Sequence, residues 1–582
     1  MTFSQELSGT LTADTTLTAS LSPWEITETI IVPDGITLTV DAGCTLSFQN
    51  NAGLRIDSGG RIDAVGEKDN RIFMASREPG GRWNGIEFED SMEDNVLSFI
   101  DIHHGDNQGH IINIHRSKAV LDHLSWTRTN RTIVEVYHPS AIIQNCTFPS
   151  VEEVEVIHGE YLQDNEYLII MGNTFGSPRG YNDVIDFTDC KRPGPIIQIY
   201  NNIFLGGGDD GLVLDGSDAF IEGNTFKHFH KGHDGSSTSN AIATGRRNGK
   251  TSDIFVVRNL FYDNDHAVLL KEECTMYAEN NTFVASDSGV INFSEWPYRD
   301  VTPGASAEFV GNIFWAYKRA FENQFSQPGN PDPAITFSYG LIDEPFHALG
   351  AHNIEGDPEF IDPEGDFHLR PTSPAIAAGP NGLDMGAHVP SGASISGEPA
   401  DTTQQTSATL FIGGPGVESY RYVVNDPHGE WSEELLLAEH PEIELTHLQP
   451  GRSYTVYVKG KTKARWQDDP EYATSKTWFI PDPETSISWG ETAQPQRAKL
   501  YDAHPNPFNE NTLIRFDLPV EQRVRIEIFD ALGRSVQVLE EKIFAAGRHT
   551  IKMNGHGLPS GVYYYQMIAR DFRQSRRFIL IR

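Results

Sequence analysis

Five short segments in the middle of the chain can be laid over one another without gaps: 183–189, 210–216, 240–246, 266–272 and 288–294. In that register Asp183, Asp210, Asn240, His266 and Ser288 form one column. The column before it holds Asn182, Asp209, Ser239, Asp265 and Asp287, and a third holds Thr188, Asp215, Gly245, Lys271 and Phe293. Converging carboxylates can bind Ca²⁺ through oxygen. A Ca²⁺ beside a lysine suits uronate cleavage: the ion neutralises the sugar carboxylate and the amine abstracts the acidified C5 proton. That requires burial or a nearby cation to lower the lysine pKa. Two aspartates at suitable separation would instead serve as acid and base in glycoside hydrolysis, with Asp209 or Asp210 opposite Asp186 or Asp234. The candidates are therefore Lys271, Asp210 and Asp215 for catalysis, and Asp209, Asp210 and Asp265 for a metal, with Ca²⁺ the expected ion. Asp183, Asn240, His266, His233 and Arg246 are the candidates for substrate binding. With only Gly245 between them, Asp215 and Lys271 are expected on the order of 10 Å apart across a gap open to a sugar or ion. The competing reading is turn chemistry: aspartates cap backbone N–H groups, and Lys271 pairs with Asp215 or Glu272.

These columns exist only if the segments stack, and a repeat says that they do. Asn-x-Phe recurs at Asn173–Phe175, Asn202–Phe204, Asn224–Phe226, Asn259–Phe261, Asn281–Phe283 and Asn312–Phe314, with Asn145-Cys-Thr-Phe148 a near variant. A short apolar strand precedes nearly every copy. Units of roughly 20 to 30 residues with short strands and Asn-rich turns predict the coils of a parallel β-helix. The repeated Asn is expected to tolerate left-handed backbone geometry and to form a hydrogen-bonded ladder. The segments 228–235 and 246–250 are expected to overhang the columns as wall loops.

Residues 1–392 resemble the right-handed parallel β-helix proteins of the pectate-lyase-like superfamily. The segment Leu269-Leu270-Lys271-Glu272-Glu273 before Asn281-Thr282-Phe283 looks like the lysine-bearing coil of β-helix lyases of the chondroitinase B and alginate lyase type. The arginine that this resemblance implies on the next coil is missing from Gly289–Phe293. The order Asp183/Asp186, Asp209-Asp210, Gly232-His233-Asp234, Leu270-Lys271 is similar to polygalacturonases, whose Gly-His-Gly and Arg-x-Lys motifs are not intact here. Neither resemblance carries over a full catalytic set.

Residues 393–483 alternate in the manner of strands, and Leu448-Gln449-Pro450-Gly451-x-x-Tyr454 looks like a turn of a fibronectin type III-like sandwich, read as a spacer. A linker, 484–499, follows a Pro-rich stretch. Residues 500–582 contain Pro505-Asn506-Pro507-Phe508-Asn509, Leu532-Gly533-Arg534 and Leu558-Pro559-Ser560-Gly561-Val562-Tyr563. In this order they resemble the type A sorting domain of the type IX secretion system. The resemblance implies a Bacteroidota-type bacterium, recognition by that machinery, and a secreted or outer-membrane surface location. The opening Met1-Thr2-Phe3-Ser4 has neither a basic n-region nor an apolar h-region, so no signal peptide is expected in this sequence and the leader is taken as removed.

The expected fold class is all-β: a right-handed parallel β-helix followed by two small β-sandwich domains. The 582 residues exceed one hydrophobic core. The net charge of −36 argues against nucleic acid or an anionic membrane as the main partner, and no apolar run is long enough for a transmembrane segment. Cys44, Cys146, Cys190 and Cys274 show no metal spacing and are expected as buried, unpaired rungs. Two functional classes fit. One binds and cleaves an extended polysaccharide, as a Ca²⁺-assisted lyase with a lysine base or as a glycoside hydrolase. The other is a non-catalytic adhesin or structural surface protein. Trp296, Tyr298 and Trp315 would suit sugar stacking in either.

Overall fold

The computed structural model describes residues 5–105, 108–180, 182–231, 239–297, 301–325, 331–467, 473–481, 497–501, 503, 506, 508, 511–529, 534–555, 558, 561–570 and 572–580. Strands make up 53% of the chain and helix about 2%, so the fold is all-β. A parallel β-solenoid of about 12 turns comes first, and small antiparallel sheets follow.

Along one side of the solenoid, thirteen short strands from Thr15–Leu17 to Ala334–Ser338 pair in chain order. The pairings are parallel, as in Ser140↔Tyr167 and Ala219↔Ile254. Each strand alternates an inward apolar residue with an outward one, so stacking buries a continuous column of side chains. On the solenoid's other sheet, the Phe of the Asn-x-Phe repeat forms the clearest such column. Phe148, Phe175, Phe204, Phe226, Phe261 and Phe283 stack face to face at centroid separations of 4.5–5.1 Å, close to the inter-strand spacing itself. Phe314 ends the run edge-on.

The Asn residues form a second, buried ladder. Asn202 Nδ2 donates to Ile170 O and to Asn224 Oδ1, both at 2.9 Å, and Asn202 N–H donates to the same Oδ1. The pattern repeats through Asn173, Asn224, Asn259, Asn281 and Asn312. The left-handed residue is not this Asn but the one before it: Gly172, Asn201, Gly223, Arg258, Asn280 and Gly311 all have φ between +52° and +70°. The side-chain amide, rather than its own backbone, closes the turn. All four cysteines are buried and free.

The five segments stack as aligned over four coils. Ile185 pairs Leu212, Asp215 pairs Gly245, and Asn240 pairs His266. The fifth is one residue out: His266 pairs Gly289, not Ser288. The register shifts between Asn264 and His266, where the following strand carries an extra residue. Such a bulge leaves no signature in the apolar pattern. Lys271 consequently aligns with Ser294, and Phe293 turns into the core.

Backbone contacts divide the chain into two compact units. The first comprises Met1–Ser396, Leu410–Ile443 and Tyr457–Ser475. Within it, Ala464 packs among Ile196, Tyr200, Phe220 and Val257, Arg465 stacks over the Tyr200 ring at 4.2 Å, and Gly416 N–H donates to Glu279 at 2.7 Å. These parts of segment 393–483 are thus docked on the solenoid flank. The second unit comprises Gly397–Thr409, Glu444–Val456 and Lys476–Arg582. Its C-terminal part has two antiparallel sheets around a core of Ile514, Phe516, Val524, Ile526, Met553, Tyr565 and Phe578. One sheet joins Asn511–Leu518 to Gly547–Asn554, and the other orders Ser535–Phe544, Gln522–Phe529, Gly561–Ala569 and Phe572–Leu580.

Candidate functional site

The strand positions that point outward along segments 155–160, 183–188, 210–215 and 266–271 carry the candidate site. Asp183 stands at the mouth of strand Ile185–Thr188 and Asp210 at that of Leu212–Asp215, one coil apart. The backbone links them: Asp210 N–H donates to Asp183 Oδ1 at 3.2 Å, and Asn240 N–H and Nδ2 donate to Asp210 Oδ1 at 2.8 Å. Asp209 completes the group. One oxygen from each of Asp183, Asp209 and Asp210 lies within 4.8 Å of the others. Lys231 Nζ donates to Asp209 Oδ1 at 3.0 Å, with the lysine side chain only 10% exposed.

Three carboxylates so close cannot all be charged cheaply. Burial, with Asp209 adding to it, pushes Asp210 up to about 7. Burial and then the Asp210 and Asp209 charges hold Asp183 well above the usual carboxylate range. Asp186, directly after Ile185 in the same strand, is pushed by burial to about 6, although the nearby His158 opposes this. His158 itself, hydrogen-bonded to Glu135 at 2.8 Å, is raised to about 9. Asp186 Oδ1 and Asp215 Oδ1 are buried and accept no hydrogen bond among the described residues.

Asp215 and Lys271 do not flank an open gap. A methyl group on Gly245 would lie 2.4 Å from Asp215 Oδ1 and 3.0 Å from Lys271 Cε. Both side chains lean over the glycine, which has no side chain of its own to hold them apart. Lys271 Nζ then donates to Glu295 Oε1 at 2.6 Å. Burial would lower the Lys271 pKa, but the Glu295 charge and hydrogen bond outweigh it and raise the pKa instead. The pair thus favours the charged form of Lys271, whereas proton abstraction calls for the neutral amine.

The remaining candidates are placed as follows. Asn240 and His266 are 1% and 2% exposed; Asn240 holds Asp210, and His266 Nε2 bonds Glu322 Oε2 at 2.7 Å. Arg246 N–H donates to Glu272 at 2.7 Å and its guanidinium pairs with Glu273. Asp265 does not join Asp209 and Asp210; it bonds His230 Nδ1 at 3.0 Å and Lys231 N–H at 2.8 Å. His233, Asp234 and Tyr298 lie outside the described residues. Trp296 is half exposed, directly after Glu295. The sequence reading did not single out Lys231, Glu295 or Glu322. Each is supplied by a loop or coil remote in sequence from the side chain it meets, Asp209, Lys271 and His266 respectively, so spacing held no signal for them.

Residues 502–581 match the family described as Secretion system C-terminal sorting domain. No curated protein matches the chain. Among solved structures the chain is similar to the central fibronectin-III array of RIM-binding protein, at 14% identity over 33% of this chain and 69% of that one, with a TM-score of 0.13. It is similar at 14% to a two-domain fibronectin type III segment of chicken tenascin, over 33% and 98%, with a TM-score of 0.12. It is also similar at 11% to apo β-glucuronidase 3 of Bacteroides uniformis, over 39% and 31%, with a TM-score of 0.17. At these TM-scores none of the three bears on the fold. The sorting domain makes this a chain handled by that secretion machinery, with a secreted or cell-surface location. Among the described residues no helix is long and apolar enough to cross a membrane.

Proposed function

For a β-solenoid chain exported by a C-terminal sorting domain, we propose a polysaccharide-binding and polysaccharide-cleaving role. The solenoid is taken as a pectate-lyase-like one that seats an extended polymer along the face bearing Asp183, Asp209 and Asp210, with the half-exposed Trp296 as a platform for a sugar ring. The observation that carries the reading is the carboxylate trio, in which Asp210 is held near 7 beside an Asp209 paired with Lys231. Environments that differ this way suit acid and base roles at near-neutral pH. Asp210 would protonate the departing glycosidic oxygen while Asp209, with an oxygen within 4.8 Å of it, attacks the anomeric carbon as nucleophile; water deprotonated by Asp210 would then release the sugar. Hydrolysis is favoured over Ca²⁺-assisted elimination because Glu295 keeps Lys271 charged.

A second reading has its own observation. Asp183 and Asp210 each accept the backbone N–H of the next coil, as the Asn ladder does, which is what a non-catalytic adhesin would need of them. A panel of neutral and uronate polysaccharides separates the two. New reducing ends without unsaturated product, lost in Asp210→Asn, support the hydrolase. Binding without cleavage supports the adhesin. Unsaturated product dependent on Ca²⁺ would overturn the assignment of Lys271.

We also infer a fibronectin type III-like module over 393–483. Gln449 N–H donates to Tyr454 Oη at 2.6 Å, and that hydroxyl donates back to Gln449 O at 3.2 Å, a tyrosine-corner arrangement.

A further inference from the structure

The segment after strand Thr225–Lys227 carries groups that the carboxylate trio does not use. Lys227 pairs Tyr262 in parallel register, so the chain continues with His228 beside Asp263 and His230 beside Asp265. Phe229, between the histidines, is fully buried and its N–H donates to Asn264 Oδ1 at 3.0 Å. That pins the segment inward at its middle and leaves His228 facing Asp263 and His230 facing both Asp263 and Asp265.

The contacts are close and specific. His228 Nδ1 lies 2.6 Å from Asp263 Oδ2, and His230 Nε2 lies 3.3 Å from Asp263 Oδ1. Ligand atoms of His228, His230 and Asp263 all fall within 4.8 Å of one another. The other ring nitrogen of His230 faces Asp265 Oδ1 at 3.0 Å. Asp265 is itself fixed, since its second oxygen accepts Lys231 N–H and its own N–H donates to Phe229 O. A metal-bound histidine characteristically gives its other N–H to a carboxylate, which sets the tautomer and the ring plane. The three side chains are 36–45% exposed, which leaves coordination positions open to water. Two imidazoles and one carboxylate suit Zn²⁺ and its neighbours, whereas Ca²⁺ and Mg²⁺ prefer all-oxygen shells.

We propose that His228, His230 through Nε2, and Asp263 bind one divalent transition-metal ion of the Zn²⁺ class, with Asp265 orienting His230. The site stands independently of any polysaccharide chemistry. Its occupancy clamps the 228–231 segment, whose Lys231 reaches Asp209.

The test uses the full chain stripped with a chelator and titrated with Zn²⁺ by calorimetry, and with Co²⁺ by visible absorption. One saturable Zn²⁺ site and a Co²⁺ ligand-field band are expected. Asp265→Asn should weaken binding about 10- to 100-fold, as loss of an orienting carboxylate does. His228→Ala/His230→Ala should abolish the site and the band while circular dichroism stays unchanged. If that variant does not fold, the milder His228→Gln/His230→Gln replaces it. The proposal fails if the stripped wild-type chain shows no saturable Zn²⁺ binding. It fails equally if binding survives undiminished in the double histidine variant.

Discussion

Lys271 and Glu295 form a nearly buried ion pair: Nζ to Oε1 is 2.6 Å, with the side chains 14% and 10% exposed. The pair favours the charged form of the lysine on which the lyase expectation depended. Removing one member strands the other's charge in low dielectric, which costs far more than the pair itself is worth. Glu295→Gln is therefore expected to destabilise the solenoid by about 3 kcal/mol, read from the midpoint of chemical denaturation. Lys271→Met/Glu295→Leu should recover most of that loss. Equal stability of Glu295→Gln and wild type would show the pair to be solvated.

The raised carboxyls make stability pH-dependent with a definite sign. Their folded values lie above their unfolded ones, so their contribution is full below the unfolded range. It is lost as pH rises through about 6 for Asp186 and about 7 for Asp210. The melting temperature should fall between about pH 5 and about pH 8, and the fall should shrink in Asp210→Asn, whose amide cannot ionise. If Asp210 is the proton donor, activity declines over the same upper window.

Gly245 is required for space rather than for conformation. A Cβ there would press on Asp215 Oδ1 and Lys271 Cε. Gly245→Ala is expected to leave the solenoid folded while displacing both side chains. Its readouts are an altered pH profile of cleavage and an unchanged circular dichroism spectrum.

Within the Asn ladder, Asn224→Ala would leave Ile199 O and the Asn202 N–H without their partners. Buried unsatisfied groups cost about 1–3 kcal/mol each, so a loss of about 3 kcal/mol is expected by denaturation. Isosteric Asn224→Leu should do no better, since it restores volume and not hydrogen bonds.

Export gives a test that needs no substrate. Deleting 502–581, the residues matching the sorting family, should leave the solenoid folded and hold it inside the cell envelope of a type IX-secreting host. Appearance of the truncated chain in the medium would count against this tail as the signal.

The sequence alone determined the periodic part of this protein. A Phe or Asn every coil can only mean stacking, because a side chain repeated at each turn of a parallel solenoid meets its own kind at strand spacing. The sorting tail was legible because its turn motifs come in a fixed order. Three of the four registers between the five segments could be read from apolar alternation. The last could not, because the bulge in Thr282–Asn292, opposite the stretch between Asn264 and His266, adds a residue without changing the apolar pattern of the strand. Only the tertiary structure decided which charges meet. Glu295 reaches Lys271 from the next coil, Lys231 reaches Asp209, and Asp265 turns to His230 rather than to Asp210. Those choices depend on side-chain direction and loop path across coils 22 to 35 residues apart, and neither is encoded in local spacing.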